Sequence, residues 1–78
     1  MSRLRKLREE RKFTQVKMQM LTGIDQSDYS KIETGKRYMS LEQCRRIALA
    51  LNTSMDYLAG LTDESKPYPH KEETRQAL

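Results

Sequence analysis

The sequence predicts an all-α protein, a compact arrangement of five short helices followed by a polar C-terminal tail. Apolar residues recur at spacings of three and four, and no stretch alternates apolar and polar residues with the β-branched enrichment of a strand. Residues suited to starting helices (Thr14, Asp25, Ser40, Ser54) are interleaved with residues suited to stopping them (Gly23, Gly35, Asn52, Gly60). A length of 78 residues allows one domain with one modest core, and leaves no room for a separate sensor domain or a large catalytic cleft.

The first helix is expected over residues 3–11, with Leu4 and Leu7 inward and a basic outer face, and Phe13 then fills the core from the connection. The second begins after Thr14, whose hydroxyl can accept from free backbone N–H groups, and stops at Gly23. The third starts at Asp25 and stops at Gly35, so about three residues separate it from the second, a tight helix-turn-helix connection. Ser40 and Gln43 form a capping box for the fourth helix, which carries Leu41, Cys44, Ile47, Ala48 and Leu51 inward and ends at Asn52. Ser54 caps a last short helix with Met55, Leu58 and Leu61, ending near Gly60. A domain over residues 1–62 is therefore expected. Residues 63–78, polar and broken by Pro67 and Pro69, form a loosely held tail or interface extension with at most a weak turn over 72–77.

The chain holds 15 basic and 11 acidic residues, a formal charge of +4. All of the excess lies in residues 1–37, which carry ten basic and five acidic side chains, so a polyanion is a natural partner. One cysteine, Cys44, cannot form an intrachain disulfide, and neither a membrane-spanning run nor a signal sequence is evident, so a cytoplasmic setting and no membrane partner are expected. An enzyme is not expected. The single His70 lies in the tail and Cys44 on an inward stripe, so there is no nucleophile pair, no metal site and no cofactor site. The pairs Glu9–Glu10 and Glu72–Glu73 diverge on a helix and are solvated charges.

The third helix carries the chemistry. On a wheel of about 100° per residue with Tyr29 at zero, Asp25 and Ile32 fall within about 60° of it and mark the inner face. Ser27, Ser30, Lys31 and Thr34 lie roughly 100–200° away, with Gln26 at the edge. Gln26, Ser27, Ser30 and Lys31 have side chains suited to hydrogen bonding base edges: Gln pairs with adenine, Lys with guanine, and Ser with either kind of group. The plain alternative is a solvated helix face. Two features favour nucleic acid. Gln15, Thr34, Lys36 and Arg37 flank the helix pair where phosphates would have to be met. Arg8 and Glu33 each stand four residues after an inward residue, Leu4 and Tyr29, and are expected to form a buried ion pair rather than to reach water separately.

In this order and spacing, Thr14-Gln15, Gly23, residues 25–37 and Ser40-Leu41-Glu42 resemble the helix-turn-helix domain of the Cro/phage-repressor (Xre) family, over residues 4–61, most of the chain. The resemblance implies a five-helix, lambda-repressor-like fold and a transcriptional regulator, a repressor in the expected case, that binds double-stranded DNA as a homodimer on an inverted repeat. It implies that Gln15 meets phosphate and supports the reading helix, that Gln26, Ser27, Ser30 and Lys31 face bases, and that Arg8 with Glu33 is a structural pair. Two places depart from the family. Gln19 stands where a small residue, often Ala, is usual, and Val16, Met20 and Leu21 occupy positions usually polar, which could make an added apolar patch. Doubling is also expected from geometry, because one short helix covers only a few base pairs. Tyr57, Leu58 and Leu61 are the expected dimer surface, although Leu58 has an equal claim to the core. The alternative function is a protein-interaction module of the same fold, such as an antitoxin or regulator subunit, with Tyr68 and residues 72–78 available to a partner.

Overall fold

The computed structural model describes residues 2–67; Met1 and residues 68–78, with them Tyr68, His70 and the turn expected over 72–77, lie outside the described residues. Five α-helices follow one another: α1 (Ser2–Glu10), α2 (Gln15–Thr22), α3 (Gln26–Glu33), α4 (Leu41–Leu51) and α5 (Met55–Ala59), and no strand occurs among the described residues. The caps explain the boundaries. The Thr14 hydroxyl accepts from the Lys17 N–H, Asp25 from Ser27, Ser40 from Gln43 in a complete capping box, and Ser54 from Tyr57. Helix α2 stops at Gly23 (φ 74°) and α4 at Asn52 (φ 55°), both left-handed.

Helix α2 packs on α3 and α4, α4 on α5, and α1 on α3. Their shared core consists of Leu4, Leu7, Met18, Ile24, Tyr29, Ile32, Cys44, Ile47, Ala48, Leu51 and Leu58, with Phe13, Met39, Ala50, Met55 and Tyr57 packed against it. Leu41 is a correction to the expected inward stripe: it is 78% exposed. It is the first residue of α4 and points roughly 70° away from the mean direction of Cys44, Ile47, Ala48 and Leu51, so it lies on a rim rather than in the core. Leu61 likewise follows the Gly60 stop instead of riding on α5, and is exposed.

Charged side chains lock the packing. Arg8 Nε and Nη2 donate to the two carboxylate oxygens of Glu33 at 2.9 and 2.8 Å, and its Nη1 donates to the Phe13 carbonyl at 2.8 Å. Both side chains are nearly buried, at 12% and 3% exposure, so α1, the α1–α2 connection and the end of α3 are joined by one planar fork. Burial would raise the Glu33 carboxyl, but the hydrogen bonds from Arg8 outweigh it and hold the group below its ordinary value; the same bonds push the Arg8 guanidinium up. The Tyr29 phenol is buried beside this pair without a well-formed hydrogen bond, and burial raises it well above the usual tyrosine range.

Three more arginines cross between elements and end on backbone carbonyls. Arg3 donates to Tyr57 and Thr62 and lies over the Tyr57 ring with its guanidinium carbon 4.5 Å from the centroid, Arg11 donates to Leu51 at the end of α4, and Arg46 donates to Thr22 at the end of α2. Each of the last two supplies a donor to carbonyls that a helix end leaves without partners. The first residues beyond 62 are tied down as well: Asp63 pairs with Arg3 at 3.0 Å, and the Thr53 hydroxyl donates to the Ser65 carbonyl at 2.7 Å.

Arg8→Ala or Glu33→Ala should each lose about 3–5 kcal/mol in urea unfolding, because each strands a buried charge, whereas replacing both with apolar residues of matching volume should come close to wild type. Acid should weaken the fold through Glu33 and Glu42. Hydrogen bonds from Arg45 and Arg46 hold Glu42 down to about 2, against an ordinary value of 4.5 for both carboxyls. A depressed folded value contributes stability that is present above the ordinary value and is lost as pH falls through the folded one. The urea midpoint should therefore drop between pH 4.5 and 2, with a shallower slope in Glu33→Gln. Gly23→Ala should lose about 1–2 kcal/mol by the same assay from its left-handed backbone, since an added Cβ would meet only Arg46 Nη1 at 3.5 Å.

Candidate nucleic-acid interface

Helix α3 buries Tyr29, Ile32 and Glu33, which fixes the face it turns away from the core. Gln26, Ser27 and Lys31 are exposed and Ser30 is half-buried, so the four side chains assigned to base contact share one accessible surface. It contains two primary amide or ammonium donors and two hydroxyls, and no large apolar group.

The flanks are less uniform. Lys36 is exposed, in a loop whose Lys36 and Arg37 N–H groups both return to the Lys31 carbonyl, so the loop is folded back on the end of α3. Arg37 Nη1 pairs with Asp28 Oδ1 at 2.7 Å, with both side chains partly exposed. This pair places a cation beside the acidic group in the first turn of α3 and offsets the repulsion that Asp28 would present to a phosphate, while the guanidinium fork retains further donors. The Thr34 hydroxyl donates back to the Ser30 and Lys31 carbonyls at 3.0 and 3.3 Å, and so has no proton for a phosphate in this rotamer. Gln15 is half-buried in the first turn of α2, and its Nε2 lies 3.5 Å from Glu33 Oε1, adjoining the Arg8–Glu33 fork to the start of α2.

Gln19 makes a contact across the turn that spacing alone did not assign. Its side-chain Oε1 accepts from the Gln26 N–H at 2.7 Å, and its backbone carbonyl accepts from the Gly23 N–H at 2.8 Å. The available signal was its departure from the small residue usual there. A glutamine at that point is long enough to cross the turn to the first residue of α3.

At the expected dimer surface, Leu58 is fully buried in the core and is corrected to a core residue; its side chain faces inward from a five-residue helix and no surface is left to it. Tyr57 is half-buried under Arg3, and Leu61 is 77% exposed. Beside them, Ile32, Tyr38, Met39, Leu41, Cys44 and Ala59 line an open apolar groove of about 680 Å³, with Tyr38 almost wholly exposed at its mouth. Burial raises the Cys44 thiol, which makes it a packing group. Val16, Met20 and Leu21 are exposed along α2. No three His, Cys, Asp or Glu residues are placed to hold a metal, and no helix is long and apolar enough to cross a membrane, among the described residues.

A family model described as a helix-turn-helix domain matches residues 1–64. The chain is also 30% identical, over 76 residues, to a Bacillus subtilis (strain 168) protein named "Uncharacterized HTH-type transcriptional regulator YobD", covering 97% of this chain and 68% of that protein. No solved structure matches the chain. With five helices among the described residues, an α2–α3 pair joined by a three-residue turn and this match over nearly the whole described chain, the protein belongs to the helix-turn-helix domain family.

Proposed function

We propose that the chain is a transcriptional regulator, acting as a repressor in the cytoplasm, that binds a specific double-stranded DNA sequence by setting α3 in the major groove. The outward face of α3 carries the reading: Gln26, Ser27, Ser30 and Lys31 form an accessible polar surface on the second helix of a tight helix-turn-helix, with its inner face locked to the core. Lys36, Arg37 and Gln15 flank that helix as phosphate contacts, and Thr34 joins them on rotation of its hydroxyl away from the Ser30 carbonyl. The name of the Bacillus subtilis relative, a transcriptional regulator, supports the same reading.

A homodimer on an inverted repeat follows from the shortness of the reading helix, since α3 has eight residues and one copy spans only a few base pairs. Tyr57 and exposed Leu61 on the α5 side, together with Tyr38 and Leu41 at the groove, are the surface we assign to the second copy. An exposed apolar side chain beside an apolar groove is what a two-fold, self-complementary contact requires. Residues 1–62 form the DNA-binding domain and residues 63–78 a C-terminal extension.

Selection of duplexes from a random pool should enrich an inverted repeat, with log affinity falling steeply against log salt. Gln26→Ala and Lys31→Ala should each change preference at a single base pair by about 1–3 kcal/mol, while Lys36→Ala should weaken all duplexes about equally. No enrichment, with weak and unspecific binding, would overturn the reading in favour of a protein-binding module.

A further inference from the structure

Helix α3 has few means of fixing its first turn. The Asp25 carbonyl receives the Tyr29 N–H, and the Asp25 carboxylate receives the Ser27 N–H. The N–H of Gln26, the first helical residue, has no acceptor within its own helix. Here it donates to Gln19 Oε1 of the preceding helix at 2.7 Å, the shorter of the two side-chain bonds at this terminus, the other being 3.0 Å. Gln19 also receives the Gly23 N–H on its own backbone carbonyl, so a single residue holds the turn at its first residue and just beyond its last.

We propose that Gln19 is a positioning residue for base readout: its amide oxygen fixes the backbone from which the Gln26 side chain departs, so that sequence preference at the base pair facing Gln26 is set partly from α2. The proposal rests on the DNA-binding reading above and adds to it a residue that touches no base. The bond anchors the backbone nitrogen of Gln26, and a side chain of three rotatable bonds reaches a base edge reproducibly only from a fixed origin. Lys31, more than a turn further along α3, starts from backbone held by the helix itself and does not depend on Gln19.

The full chain carrying Gln19→Met, which keeps length without an acceptor, and Gln19→Glu, which keeps the acceptor, tests this. Gln19 is exposed, so neither substitution disturbs the core. Gln19→Met should lower the ratio of specific to nonspecific binding about tenfold, the net worth of one hydrogen bond, with the loss confined to the base pair facing Gln26. Gln19→Glu should restore that preference while weakening all duplexes, because it sets a carboxylate near phosphate. Amide hydrogen exchange of Gln26 in the free protein should quicken in Gln19→Met and not in Gln19→Glu. A ratio and base preference within twofold of wild type in Gln19→Met would overturn the proposal. Should wild type enrich no sequence, the DNA reading is what falls. The Gln26 amide then decides the positioning contact, and unchanged exchange in Gln19→Met overturns it.

Discussion

Everything that presents α3 to a partner depends on the fork between Arg8 and Glu33. The guanidinium meets both oxygens of one carboxylate and one backbone carbonyl, in a place where neither charge has much access to water. Its net effect on stability is small, because removing two ions from water offsets much of their attraction. What it supplies is direction. Apolar contacts between α1 and α3 would tolerate small rotations of α3 about its axis, whereas a planar bidentate pair does not. Rotation of α3 by even one residue's worth would exchange the face of Gln26, Ser27, Ser30 and Lys31 for another.

The same economy of few, directional contacts runs through the rest of the fold. Arg3, Arg11 and Arg46 each end on the carbonyl of a distant residue, two of them at helix C-termini. In a domain of this size the apolar core is small, and polar clamps between helices fix the arrangement that packing alone would leave loose. They also change how the charge of the chain is understood. Of the ten basic residues in residues 1–37, Arg3, Arg8 and Arg11 face the protein itself, so the positive field offered to a polyanion comes from fewer groups than composition suggests, with Lys31, Lys36 and Arg37 near α3.

The helices, their caps and the core were legible in the sequence because each is a local property. Thr14, Asp25, Ser40 and Ser54 announce helix starts through chemistry that acts within three residues, and the spacing of Cys44, Ile47, Ala48 and Leu51 defines an inner stripe without reference to anything else. Arg8 and Glu33 were legible through their conflict with such stripes. Leu41 misled because periodicity says nothing of where a neighbouring helix ends, and Leu58 because a five-residue helix has too little length to separate an inner from an outer face. Gln19 to Gln26, Arg46 to Thr22 and Asp28 to Arg37 were not legible as pairs: each joins different elements or a helix and its loop, and a long polar side chain gives no sign in sequence of which partner it will reach.

The clasp of Arg3 on Tyr57, Thr62 and Asp63 brings α1 onto α5 and the residues after it, across separations of 54 to 60 residues. Pro67 meanwhile lines a shallow pocket together with Met55 and Asp56, so both limits of the described chain gather near α5. The domain is thereby a closed loop in which a segment joined at either limit would emerge from one locality. A second module tethered at that point would share this locality, and would raise the effective concentration of a neighbour there.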